Sequence, residues 1–200
     1  MGGGLGTKMD SVTENKRAKV GNILMNNPVL RHLMQVEEKS IDVRGRFLAQ
    51  AIRIESVIED IISCHFCPDE DKSRLFRSLI MNNTDFTFSS KIKILEKLLK
   101  KYYADLFDRY PKIINDANKI RRFRNKIAHT DLDLSQKVWA ERRSDRIRLV
   151  YYEDGERKEQ IVTDAEIEKR LENCYQLFQA LFSISLAVLG RVSANIDNEK

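Results

Sequence analysis

Apolar residues recur at helical spacing along most of the chain. Phe47, Leu48, Ala51, Ile52, Ile54, Ile58, Ile61 and Ile62 form the apolar side of a predicted helix over about Val36 to His65, which Pro68 ends. A second, short helix is expected from Pro68, with Asp69, Glu70 and Asp71 suiting the positive end of its dipole and Leu75, Leu79 and Ile80 continuing it. Residues 82–85, Asn-Asn-Thr-Asp, read as a loop. Ser89 or Ser90 is placed to cap a third helix. There Ile92, Leu95, Leu98 and Leu99 make the stripe, and Lys91, Lys93, Lys97, Lys100 and Lys101 are expected to face solvent. Pro111 suits the first turn of a fourth helix. On it Ile113, Ile114, Ala117, Ile120, Arg124, Ile127 and Ala128 share one face, and Lys112, Lys119, Arg121, Arg122 and Lys126 crowd the other.

The period then changes from helical to alternating. Residues 146–152 and 157–163 read as two strands around a turn containing Asp154-Gly155, so a β-hairpin is expected near residues 146–163. Thr163 or Asp164 caps a last long helix, with Glu166 in capping-box position relative to Thr163. Gly190 stands where a left-handed residue would close it. Its centre, Leu177 to Leu189, is apolar almost all round, as a helix in a bundle or a dimer interface would be. Between Gly21 and Gly155 the single glycine is Gly45, a scarcity of punctuation that favours long helices. The expected fold is therefore all-α, an up-and-down bundle of four to five helices with an inserted hairpin. One domain is expected over residues 21–193, between a flexible segment at 1–20 and a tail at 194–200.

Composition narrows the class more than the function. Of 200 residues 42% are hydrophobic and 32% charged, which excludes a largely disordered chain, a collagen and a disulfide-rich miniprotein. Lys and Arg number 35 against 30 Asp and Glu, a formal charge of +5 that permits an anionic partner without requiring one. The longest apolar segment, Leu177 to Leu189, is interrupted by Gln179, Ser183 and Ser185, so no membrane association is expected. Cys64, Cys67 and Cys174 are too few for a disulfide framework and point to a reducing cytoplasm. The opening Met1 to Gly6 lacks the basic and apolar regions of a signal peptide, and Met9 is an alternative start.

Chemistry concentrates at Arg124-Asn125-Lys126-Ile127-Ala128-His129, the C-terminal end of the basic helix, ahead of Thr130-Asp131-Leu132-Asp133. Arginine grips phosphate through a fixed fork of donors, and histidine exchanges a proton near neutral pH. Together they suffice to cleave RNA at the 2′-hydroxyl without a metal or other cofactor. His129 would serve as general acid or base, Arg124 would stabilise the growing phosphoryl charge, and Asn125 would orient either group. Arg121, Arg122, Lys126 and Lys119 would contact the RNA backbone. On one regular helix Arg124 and His129 stand roughly 140° and about 7.5 Å apart. Convergence therefore needs a bend at His129 or a two-fold dimer in which one chain's arginine meets the other's histidine, and the dimer is the favoured arrangement.

This stretch resembles the HEPN superfamily, whose motif is Arg, four to six residues, then His, in its fuller form with Asn after the Arg and Ala before the His. Arg124, Asn125, Ala128 and His129 match that fuller form. With 18 Arg and 3 His in the chain, the bare pattern is expected about 0.8 times by chance and the fuller one roughly 0.001 times. The resemblance covers Val36 to His129 and the last helix in outline, without the hairpin, and implies a helical bundle, a homodimer whose two motifs line one cleft, and metal-independent endoribonuclease activity in a toxin, abortive-infection or stress-response setting; residues 21–193 are the domain so assigned. Such a setting entails RNA as substrate and an antitoxin or regulatory protein as partner. Toxins of the nucleotidyltransferase-paired branch carry Tyr two residues after the His, where this chain has Asp131.

Plainer readings stand alongside. Arg124 sits near the apolar stripe, where it would ion-pair with Glu55 or Glu59, and His129 would serve the helix dipole at a C-terminus. A non-catalytic dimeric scaffold binding a partner protein or a nucleotide is the alternative function. Cys64-His65-Phe66-Cys67 imitates a zinc half-site but lacks a second ligand pair unless Cys174 is brought in, and no metal site is expected. His32 reads as a helix-surface residue. Tyr102, Tyr103, Tyr151 and Tyr152 suit either packing or base stacking, and Trp139 would anchor the hairpin. No phosphate-binding glycine loop or serine elbow is present.

Overall fold

The structure, a computed structural model, describes residues 27–133, 135, 143 and 145–198. The protein is mostly helical, with a small three-stranded antiparallel sheet. Among the described residues six α-helices and three strands follow in the order α1 (Pro28–Phe66), α2 (Glu70–Phe76), α3 (Phe88–Tyr102), α4 (Ala104–Arg109), α5 (Ile113–Ala128), β1 (Asp131–Leu132), β2 (Arg146–Glu153), β3 (Glu156–Thr163) and α6 (Asp164–Asn198). Trp139 lies outside the described residues, as do the expected flexible segment at 1–20 and the alternative start Met9.

Two compact units divide the chain, one of residues 43–130 and 164 onward, the other of residues up to 42 with 131–163. The larger unit holds the helical core. Along α1 Phe47, Ala51, Ile54, Ile58 and Ile61 are buried, along α3 Ile92, Leu95 and Leu99, along α5 Ala117, Ile120 and Ile127, and along α6 Cys174, Leu177, Leu181, Ile184 and Val188. These positions recur every three or four residues, so each helix turns one continuous stripe inward, and each full side-chain burial stabilises by about 1.5–3 kcal/mol. Phe47 meets Phe123 edge to face, ring centroids 4.7 Å apart.

Helix ends follow local chemistry. α1 starts earlier than its apolar stripe, because the Asn27 carboxamide accepts from Val29 N at 2.9 Å and Pro28 fits the first turn. The Asp69 carboxylate caps α2, accepting from Lys72 N at 2.9 Å. A single π-helical turn, Arg77–Met81, follows it. Thr87, rather than Ser89 or Ser90, caps α3, its hydroxyl accepting from Ser90 N at 3.2 Å. α4 separates α3 from α5 where no separate helix was expected. α6 runs through Gly190, so that residue does not close it, and helix continues to Asn198 where a tail from 194 was expected.

The last helix is apolar on two faces, and only one is buried. Tyr175, Phe182, Leu186 and Leu189 are exposed along the other. By length and composition alone, residues Asp164–Ala194 would span a membrane, a property that core helices of soluble bundles share.

In the smaller unit β2 and β3 pair over their full length, from Arg146 opposite Thr163 to Glu153 opposite Glu156. Asp154 and Gly155 turn the chain with φ of 54° and 79°, the two left-handed residues of a type I′ turn. A third strand extends the expected hairpin, as Asp131 and Leu132 pair with Val150 and Leu149. The buried Asp133 carboxylate lies 3.7 Å from both Arg148 and Arg157, and Glu159 bridges the same two arginines at 2.8 and 2.6 Å.

Candidate functional site

On α5 the helical repeat puts Arg121, Arg124 and Asn125 on one face, and His129 follows Asn125 by four residues. The helix ends there. His129 has left helical geometry, with φ of −118° and ψ of 11°, while its N–H still donates to Lys126 O at 3.3 Å. Two bonds fix the bend: Arg44 of α1 donates to Thr130 O at 2.7 Å, and the buried Thr130 hydroxyl donates to Ile127 O at 3.5 Å.

That bend brings Arg121, Arg124, Asn125 and His129 onto the lining of one cavity of about 520 Å³ within a single chain. Such a volume suits a small ligand or a nucleotide-sized piece of a polymer. Asn83, Thr84, Thr87 and Ser89, from the loop before α3 and its first turn, line it with amide and hydroxyl groups. Glu55 and Lys91 complete its polar wall. Arg124 is half-buried and donates from Nη1 to Asn125 Oδ1 at 3.0 Å, which holds the guanidinium toward its neighbour. Arg121 donates from Nε to Asn118 Oδ1 at 3.4 Å, and His129 is exposed.

Lys91, expected in solvent, is 5% exposed. Its ammonium donates to Glu55 at 2.7 Å and Glu59 at 2.6 Å. Burial opposes charging of Lys91, but the hydrogen bonds and charges of Glu55 and Glu59 outweigh it and hold the ammonium above the usual lysine range. Glu59 also accepts from Arg77 Nε at 3.2 Å, and Arg77 reaches Asp60 and Ser56. The Asp60 carboxyl is nonetheless raised, since desolvation exceeds the pull of Arg77. The two glutamates therefore pair with Lys91 and Arg77, not with Arg124. The ion pair expected of a structural Arg124 is absent, whereas the C-terminal helix position expected of His129 is present.

The remaining basic candidates divide. Lys119 lines a different cavity, ion-paired to Asp116 at 2.8 Å. Arg122, which is exposed, and Lys126, which is half-buried, line neither cavity. Lys119, Arg122 and Lys126 are thus not brought to Arg124 and His129, because they occupy other faces of α5. Tyr102 and Tyr103 also stay apart from that site. Tyr103 is buried, with its hydroxyl 3.0 Å from Nδ1 of His65, and Tyr102 tilts over the same imidazole at 4.7 Å between centroids. Burial holds the His65 imidazole below its usual range and the Cys64 thiol above its own. His32 is half-buried rather than on the surface, with Nε2 buried and without a hydrogen-bond partner among the described residues. No cluster of three or more His, Cys, Asp or Glu that could hold a metal ion occurs among the described residues.

The cavity thus offers two guanidinium groups, an imidazole, two carboxamides and several hydroxyls around one opening. It can grip an oxyanion and move a proton beside it. Sequence reasoning missed Lys91, although its spacing from Phe88 and Leu95 puts it on the buried stripe of α3. Arg44, Thr84 and Thr87 carry no motif at all. Compared with family models, curated proteins and solved structures, the chain finds no match.

Proposed function

We propose that the protein is a metal-independent endoribonuclease of HEPN type. The observation that supports this reading is the shared cavity of Arg124, Asn125 and His129. An RNA phosphodiester seated there meets the Arg124 guanidinium at its non-bridging oxygens, with Arg121 as a second cation. The 2′-oxygen loses its proton and attacks phosphorus, a 2′,3′-cyclic phosphate forms, and the P–O5′ bond breaks as the 5′-oxygen gains a proton. His129 carries one of these two proton transfers. Asn125 keeps Arg124 aimed through its 3.0 Å hydrogen bond. The reading includes an up-and-down bundle, a homodimer, and cytoplasmic action in a toxin-like or stress-response role with an antitoxin or regulator.

The reading separates from a non-catalytic scaffold by two measurements. RNA affinity should fall steeply with added salt, as phosphate contacts release counterions. A DNA strand of the same base order should bind and remain uncut, because the 2′-hydroxyl nucleophile is gone. Salt-independent binding, or cutting of the deoxy strand, contradicts the mechanism.

A further inference from the structure

A second cavity, of about 530 Å³, lies between α1, α5 and α6, within the same unit as the first. Its walls are apolar and aromatic: Phe47, Tyr110, Ile113, Ile120, Phe123 and Leu177. Asn173 and Gln176 add amides, and its charged groups are mostly cationic. Lys112 and Lys119 line it with Arg170 against one carboxylate, Asp116, which is already paired to Lys119 at 2.8 Å. Arg170 is the unusual member. Its guanidinium stacks 4.0 Å from the centre of the Phe123 ring, and it pairs with no carboxylate among the described residues. A guanidinium that lines a cavity without a carboxylate partner is where an anionic acceptor belongs. A carboxylate accepts from a guanidinium fork through both oxygens, and an aromatic body would fill the apolar wall beside it.

We propose that this cavity binds a small aromatic carboxylate, its carboxylate on Arg170 with Lys112 as the second cation, and its ring against Phe47, Phe123 and Ile120. The site is distinct from the Arg124–His129 cavity and uses other faces of α5, so the proposal stands apart from the nuclease reading. An apolar ring alone would leave the Arg170 guanidinium without a counter-charge, and a bare inorganic anion would leave the aromatic wall wet. Only a ligand with both parts satisfies both.

The test is a methyl-resolved NMR titration of the full chain with phenylacetate and, separately, with phenylacetamide, which has nearly the same shape and no charge. Phenylacetate should shift the Ile113, Ile120 and Leu177 methyl signals saturably in the millimolar range, as befits so few atoms. Phenylacetamide should bind about tenfold more weakly. Arg170→Gln should weaken phenylacetate by about the same factor, and Lys112→Gln, at an exposed position, by a few-fold. Absence of saturable shifts up to about 10 mM overturns the proposal. So does equal affinity for the amide. Unchanged phenylacetate affinity in both variants overturns it as well.

Discussion

Lys91 is the charge on which the polar wall of the Arg124 cavity depends, because two carboxylates converge on one buried ammonium. Removing one partner of a buried pair leaves the others uncompensated. Lys91→Met is expected to cost about 3 kcal/mol of stability, read as a lower urea midpoint at unchanged slope. Full stability in that variant would mean the glutamates are solvated. Cys174 is a second residue whose surroundings set its chemistry. It is fully buried, and desolvation pushes its thiol up to about 11 against a smaller pull from Arg170. At pH 8 it should resist iodoacetamide in the folded protein and react on unfolding, counted by mass spectrometry. Rapid labelling of folded Cys174 would contradict that burial. Arg124, Asn125 and His129 stood out in the sequence because their residue types at that spacing, with Ala128 before the histidine, are rare by chance where the spacing alone is not. Lys91 did not, since a lysine within an apolar stripe reads as solvated until the acids facing it from another helix are known.

At the scale of elements, legibility follows whether the deciding interaction is local. The β2–β3 turn was readable because Asp154-Gly155 supplies two left-handed residues in sequence. Gly155→Val should cost about 1–2 kcal/mol for that reason, seen in thermal unfolding; no loss would mean that the turn tolerates a branched residue at positive φ. β1 was not readable. Its two residues become a strand only by pairing with Val150 and Leu149, nearly twenty positions onward. α6 outran Gly190 because packing of Val188 and the turns before it outweighs one helix-weakening glycine. The end of α6 is strapped to α4 by Arg191, whose guanidinium donates to both oxygens of Asp105 at 2.8 and 2.5 Å. That pair holds the Asp105 carboxyl at about 2. A carboxyl lowered on folding adds stability above its ordinary range and loses it as pH falls toward the folded value. An NMR titration should therefore find the Asp105 midpoint near 2 in the wild type and near about 4 in Arg191→Gln; equal midpoints would show the strap is open in solution.

At the scale of the whole molecule, α5 lines both of the cavities described above, which lie in the larger unit. One face carries Arg121, Arg124 and Asn125 toward His129, and others carry Lys119, Ile120 and Phe123 toward Arg170. The sequence foretold the helical stripe of α5 but placed Arg121 with the solvent-facing lysines, and it favoured a second chain to complete the site. The bend at His129, fixed by Arg44 and Thr130, already sets Arg124 and His129 on one lining. That bend rests on contacts from α1, eighty-six residues from Thr130, which no local pattern announces. The central claim is that Arg124 and His129 together cut RNA, and its most direct measurement is cleavage of mixed RNA in the presence of a chelator by wild type, Arg124→Ala and His129→Ala, each verified folded and of equal mass by light scattering. The account predicts that wild type cuts and leaves 2′,3′-cyclic phosphate ends, while each variant is slower by about 10²-fold or more. Equal activity in all three, or inactivity of a folded wild type, would contradict it.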